Sequence, residues 1–182
     1  MVRPALVLRM LAEGDEEAFL AGLRAWEGDD ASWHSFVWGE GISYAEMLER
    51  LRDDRLGVGL APGRVPHTML YGFVDGVIVG RCSVRHELNE GLRRRGGHVG
   101  YAVAPPFRRR GYAGEMLRQG LVVCAELGLP AVMLTCDDDN AGSWKTIERA
   151  GGALAERVWD EEHAAWIRRY WIGLSAAGPG GG

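Results

Sequence analysis

The segment whose residue types and spacing point most directly to chemistry is Arg108-Arg109-Arg110-Gly111-Tyr112-Ala113. Three guanidinium groups precede a glycine and a small residue. From about Gly111 the apolar residues fall into a helical period, through Ala113, Met116, Leu117, Gly120, Leu121, Cys124 and Leu127. The first turn of such a helix has backbone N–H groups without intrahelical partners, at the positive end of the helix dipole. Amides, dipole and nearby guanidinium groups together form an anion site, and the small Gly111 and Ala113 let a phosphate approach the backbone. The chain has no Gly-x-x-x-x-Gly-Lys-Ser/Thr and no Gly-x-Gly-x-x-Gly, so neither a P-loop nor a dinucleotide turn is supported.

An anion site of this kind needs a strand before it and a helix after it. Val99, Tyr101 and Val103 alternate with small residues as a strand does, and Pro105 and Pro106 end it. Ahead of that, Leu6 to Met10 reads as a first strand. Asp15 reads as the N-cap of a helix reaching about Glu27, with Phe19, Leu20, Leu23 and Trp26 inward. After a loop over 28–41, Ser43 and Glu46 form a capping box for a helix with Tyr44, Met47, Leu48 and Leu51 on one face. A connection over 53–66 leads to a hairpin, Thr68–Val74 and Val77 to about His86, turning at Asp75-Gly76. A basic loop follows through Arg93, Arg94 and Arg95. Beyond the central helix come a buried strand, Ala131–Cys136, a helix from about Ala141 to Ala150 capped within Asp137–Asn140, and two strands near Ala153–Trp159 and Ala164–Leu174. The order is that of a single α/β (α+β) domain over 1–174, with a Gly-rich tail at 175–182 expected to be disordered.

Composition narrows the function classes. The 182 residues are 47% apolar and 25% charged, ordinary for a globular domain, and the net charge of −4 argues against nucleic acid as a partner. No apolar run reaches the ~20 residues needed to span a membrane, and Arg9 breaks the only apolar patch near the N-terminus. Cys82, Cys124 and Cys136 are odd in number and lack metal-ligand spacing, which suits buried thiols in a reducing compartment and predicts a cytoplasmic protein. Asp137-Asp138-Asp139-Asn140 invites a calcium loop, but Ala141 falls on a ligand position, so helix capping is the expected role and no metal is expected.

Arg108-x-x-Gly111-x-Ala113, after a strand and before a helix, resembles the acetyl-CoA signature of the GNAT superfamily of N-acetyltransferases. The order of elements from about Leu6 to Leu174 resembles that family too, and Arg85-His86-Glu87-Leu88-Asn89 followed by Gly97–Tyr101 looks like one of its subgroups. The resemblance implies a mixed central sheet of about six to seven strands flanked by about four helices, with two parallel central strands splayed apart. It implies acetyl-CoA as co-substrate, lying between Val99–Ala104 and Ala131–Cys136. The main chain of Tyr101 and Val103 would pair with the pantetheine amides. Arg108, Arg109, Arg110, Gly111, Tyr112 and Ala113 would cradle the pyrophosphate. Asn140 and Ser143 match the second cofactor segment of the family, Asn-x-x-Ala/Ser-x-x-x-Tyr-x-Lys-x-Gly-Phe, and would hold the pantetheine arm. This chain departs from that segment at Ile147, where relatives carry the Tyr that protonates the leaving thiolate, and at Arg149 and Gly152. Ser143, or water, is the candidate replacement acid.

Acetyl transfer to an amine also needs a base, because a lysine-like amine has a pKa of ~10. Glu87 and His98 are the candidates, with His86 beside them; Glu87 alternatively binds a cationic acceptor. Trp33, Phe36 and Trp38 in the 28–41 loop are candidates for an acceptor wall, and acidic Asp29, Asp30 and Glu40 favour a cationic amine. The expected activity is transfer of an acetyl group to a primary amine, on a small molecule or peptide, by direct attack in a ternary complex. The alternatives are a CoA-binding sensor without efficient catalysis, motivated by Ile147, and a longer acyl-CoA donor. A homodimer is left open.

Overall fold

The computed structural model describes residues 5–29 and 35–174. The tail at 175–182, Asp30 and Trp33 lie outside them. Among the described residues are seven strands and five α-helices: β1 (Val7–Arg9), α1 (Glu16–Arg24), α2 (Tyr44–Leu56), β2 (His67–Val74), β3 (Val77–Arg85), α3 (Glu90–Arg94), β4 (Val99–Val103), α4 (Tyr112–Glu126), β5 (Ala131–Asp137), α5 (Ala141–Arg149), β6 (Ala153–Asp160) and β7 (Ala165–Gly173). No helix among them is long and apolar enough to cross a membrane.

The strands form two antiparallel sheets, β1-β2-β3-β4 and β5-β7-β6. The central sheet is thus divided between β4 and β5. The residues just before β4 touch the middle of β5, through His98 N–H to the Met133 carbonyl at 2.7 Å and an isolated antiparallel bridge at Gly97–Leu134. Farther along the two strands part, and Tyr101 of β4 reaches Ser143 of α5, the helix that follows β5, across the gap. Gly97 makes the contact possible. Its φ is +65°, and a Cβ there would lie 2.3 Å from the Met133 carbonyl oxygen.

Two apolar layers hold this frame. On one face Leu70, Cys82, Val84 and Val99 pack with Met116, Leu117 and Cys124 of α4 and with Leu134, Ile147 and Tyr170. On the other, Phe19 and Met47 of α1 and α2 cover Met69, Tyr71 and Phe73. β2 is therefore covered on both sides, and all eight of its residues are buried. The β2–β3 hairpin turns at Asp75 (φ 48°) and Gly76 (φ 79°), the two positive-φ positions that match strand twist.

Several local expectations are corrected. The Asp15 carboxylate makes no cap bond to α1; Arg9 takes it in a two-pronged pair at 2.6 and 2.8 Å, with the Ala12 N–H as a further donor. Leu20 faces solvent while Phe19 and Trp26 are buried, and α1 ends at Arg24. Half of the Ser43 box forms: Ser43 Oγ accepts from Glu46 N–H, but the Glu46 carboxylate turns to Arg50 at 2.7 Å. α2 runs on through Asp53 and Asp54 to Leu56, closed by Gly57 at φ 73°. The basic loop is in part helical, because Asn89 Oδ1 accepts from Leu92 N–H and starts α3.

Candidate active site

The ladder between β3 and β4 decides what β4 offers its other neighbour. Arg85 N–H donates to the His98 carbonyl at 2.8 Å and Ala104 N–H to Val79 at 3.0 Å. In an antiparallel pair alternate residues turn their peptide groups to opposite sides, so those of Tyr101 and Val103 face away from β3. They front a cleft of about 220 Å³ where β4 and β5 part, lined by Arg85, Tyr101, Thr135, Cys136, Asn140 and Ser143 among others.

Tyr101 crosses this cleft. Its hydroxyl lies 3.2 Å from Ser143 Oγ and 3.3 Å from the Ser143 carbonyl. Burial pushes the Tyr101 pKa up to about 12, so the group is a phenol rather than a phenolate. Burial likewise raises the Cys136 thiol to about 11, against an opposing hydrogen bond from Ser143. Asn140 Oδ1 accepts from Ser143 N–H at 3.0 Å, which caps α5 and fixes Ser143 in its first turn. Asn140, Ser143 and Tyr101 are therefore brought together. Ile147 is 1% exposed and packs in the core.

The signature turn caps α4 with its backbone. Gly111, at φ 82°, is the N-cap, and among the described residues no side-chain cap bond forms at this end of the helix. The three arginines differ. Arg108 donates from Nε to the Val103 carbonyl at 3.0 Å and pairs with Asp29, so it is engaged within the protein and the turn is tied to the segment that follows α1. Arg110 donates to the Pro106 carbonyl at 3.0 Å. Arg109, at φ 65°, projects into solvent. Asp29, expected to favour a cationic acceptor, is thus spent on Arg108.

The candidate bases lie elsewhere. His98 is 6% exposed, and its Nδ1 accepts from Met133 N–H at 2.9 Å. Burial, then the cationic Arg93 and Arg85, hold its pKa below the usual histidine value. Its acceptor nitrogen is occupied in joining the two sheets. Glu87 is exposed just beyond β3, and His86 meets Thr68 Oγ1 at 2.9 Å. Neither Glu87 nor His98 lines the cleft. Phe36 is partly exposed over the Arg81 guanidinium at 4.5 Å, whereas the partly buried Trp38 packs edge-on against Phe19 of the core.

Residues that the sequence did not single out also line the cleft. Thr135 Oγ1 accepts from Gly96 N–H at 2.8 Å. Arg95 pairs with Asp137 at 2.6 Å and Asp160 at 3.2 Å. Arg85 donates to the carbonyls of Gly96 and Gly97, each at 3.1 Å. Asp138 meets Arg157 at 2.6 Å and Arg168 at 2.5 Å, so arginines neutralise the acidic run. Among the described residues no three His, Cys, Asp or Glu side chains gather as metal ligands do.

A family model described as the acetyltransferase (GNAT) domain matches residues 5–153. Solved structures similar to the chain include RimL, the ribosomal L7/L12 alpha-N-protein acetyltransferase, in complex with coenzyme A. It is 18% identical, with a TM-score of 0.63, over 94% of this chain and 95% of that one. The yncA protein of Salmonella typhimurium, with its cofactor acetyl-CoA, is 14% identical with a TM-score of 0.61, over 96% and 97%. An N-acetyltransferase from Staphylococcus aureus Mu50 is 13% identical with a TM-score of 0.62, over 94% and 99%. A search of curated proteins yields no match. These neighbours share the fold, and the model match extends from β1 through the cleft and α5: the chain belongs to the GNAT acetyltransferase family.

Proposed function

We propose that the protein transfers the acetyl group of acetyl-CoA to a primary amine by direct attack in a ternary complex. The Tyr101–Ser143 contact across the mouth of the splay carries this reading, because it sets a proton donor where the two strands part. The chain's groups fit the co-substrate. The uncapped N–H groups of α4 suit the pyrophosphate, with Arg109 beside them. Peptide groups of Tyr101 and the Val103 N–H suit the pantetheine arm, since Arg108 already occupies the Val103 carbonyl. Bound there, acetyl-CoA supplies an activated thioester.

The roles of the protein follow. The cleft holds the amine nitrogen on line with the thioester carbon, so that an N–C bond forms as the C–S bond breaks. Tyr101, linked to Ser143, gives a proton to the departing sulfur and takes over the role left vacant by Ile147. The amine's proton leaves through water at the cleft mouth, because the Nδ1 of His98 is occupied. Cys136 stays protonated at neutral pH and is a poor nucleophile, which favours direct attack over an acyl-enzyme. Three free thiols suit a reducing, cytoplasmic setting.

The burial of Ile147 in the core favours one other reading, a CoA-binding sensor. Calorimetry with CoA, and thioester consumption across an amine panel, separate the two. Binding with amine-dependent consumption supports the enzyme, binding without it supports the sensor, and absence of CoA binding overturns both. Competition among acyl-CoAs identifies the donor.

A further inference from the structure

Two guanidinium groups line the cleft, and they are balanced differently. Arg95 is met by the carboxylates of Asp137 and Asp160. Arg85 is met by two neutral carbonyls, those of Gly96 and Gly97. Among the described residues no carboxylate comes within ion-pair distance of Arg85. Burial pushes its pKa down, with Cys82 opposing and the cationic Arg64 adding to the fall. A half-buried guanidinium without an anion is costly unless something else completes it.

Strand register places this charge. Arg85 pairs with His67 on one side, Ser83 pairs with Met69 and Gly100, and Arg81 with Tyr71 and Ala102. Paired residues share a face, so Ser83, Arg85 and the missing side chain of Gly100 lie on the α1–α2 side of the sheet. A Cβ on Gly100 would sit 3.4 Å from Arg85 Nη1 and 3.6 Å from Nη2. The guanidinium therefore covers the bare backbone of β4 one residue before Tyr101. On the same face the buried Ser83 Oγ has no hydrogen-bond partner among the described residues, while His67 Nε2 faces the Asp54 carboxylate at 3.7 Å. α4 and the anion turn occupy the opposite face, with Val99 and Cys82, so this side is left for the acceptor.

We propose that the acceptor is an amine that also carries a carboxylate, and that Arg85 binds that carboxylate at the acceptor end of the cleft, with Ser83 as a supporting hydroxyl. A guanidinium fork matches a carboxylate in plane and in donor spacing. This inference rests on the acetyltransferase reading and replaces the cationic acceptor suggested by the acidic loop residues.

The experiment compares L-amino acids and acidic dipeptides with their C-terminal amides, in wild-type protein saturated with CoA for calorimetric binding and with acetyl-CoA for turnover. The expected result is tighter binding and higher kcat/KM for the acid by about tenfold or more. That preference falls toward unity in Arg85→Gln and is partly kept in Arg85→Lys; Ser83→Ala lowers it about threefold. Equal binding of acid and amide to the wild-type protein overturns the proposal without any variant. A loss in Arg85→Gln that is the same for acid and amide also overturns it, and makes Arg85 a brace for Gly96 and Gly97. Preferential binding of the acid with no acetyl transfer leaves the proposal standing and removes the acetyltransferase reading.

Discussion

The Tyr101 hydroxyl lies 3.2 Å from Ser143 Oγ, joining β4 to the first turn of α5 across the cleft. The pair bridges the two sheets at the point where they have already separated. It sets one donor on a strand and one on a helix N-terminus, each held by its own frame: Tyr101 by the β3–β4 ladder, Ser143 by Asn140.

Removal of the phenol is expected to slow chemistry more than binding. Tyr101→Phe should lower kcat about a hundredfold, the scale of a lost general acid. Ser143→Ala should lower it about tenfold, with CoA affinity within about twofold of wild type in both. Since the Tyr101 pKa lies at about 12, the phenol stays protonated through pH 7–10 and imposes no alkaline fall in kcat over that range. Steady-state rates and a pH profile test this; an unchanged kcat in Tyr101→Phe removes the residue from the mechanism.

The arginines should separate by partner. Arg109→Ala is expected to weaken CoA about tenfold, with a loss that shrinks at high salt. Arg108→Ala and Asp29→Ala act through the same link, so their double variant should lose little more than either alone. Calorimetry with CoA at two salt concentrations measures both effects, and additive losses at Arg108 and Asp29 would contradict the shared link.

Gly97→Ala should destabilise the fold by more than about 2 kcal/mol. The added Cβ meets the Met133 carbonyl at 2.3 Å, and backbone rather than a flexible side chain must give way. A shift of the urea midpoint at constant slope reads this out. A stability within about 0.5 kcal/mol of wild type would show that the sheet junction is pliable.

His98 ties stability to pH. Its folded-state pKa lies below the unfolded value of ~6.5, so the unfolded chain binds the proton first. Stability from this residue is present above pH ~6.5 and is lost as pH falls below it. His98→Asn keeps an acceptor near Nδ1 and removes the titration, so the dependence between pH 7.5 and 5 should flatten. His67 and His86, whose pKa values are also lowered by burial, contribute in the same direction. Urea midpoints across that range check the slope. Persistence of an acidic limb in the pH–rate profile of His98→Asn agrees with a structural role.

Local chemistry made much of this protein legible in its residues alone. The alternation at Val99, Tyr101 and Val103, the prolines after it and the glycine at 111 marked a strand, a stop and an uncapped helix start, since each depends on near neighbours in the chain. Asp75-Gly76 marked the hairpin and Asn140 the start of α5 for the same reason. Long-range pairing decided the rest. Arg9 drew Asp15 from its cap, Asp29 drew Arg108 from the anion turn, and Met133 took the nitrogen that made His98 look like a base. The family resemblance assigns Tyr101 a main-chain role; only the parting of β4 from β5 brings its hydroxyl to Ser143. Arg85 became notable only when register laid its guanidinium over Gly100 with no carboxylate among the described residues in ion-pair reach. Residue type states what a group can do, but its partner is set by which strands lie side by side, and that is a property of the folded chain.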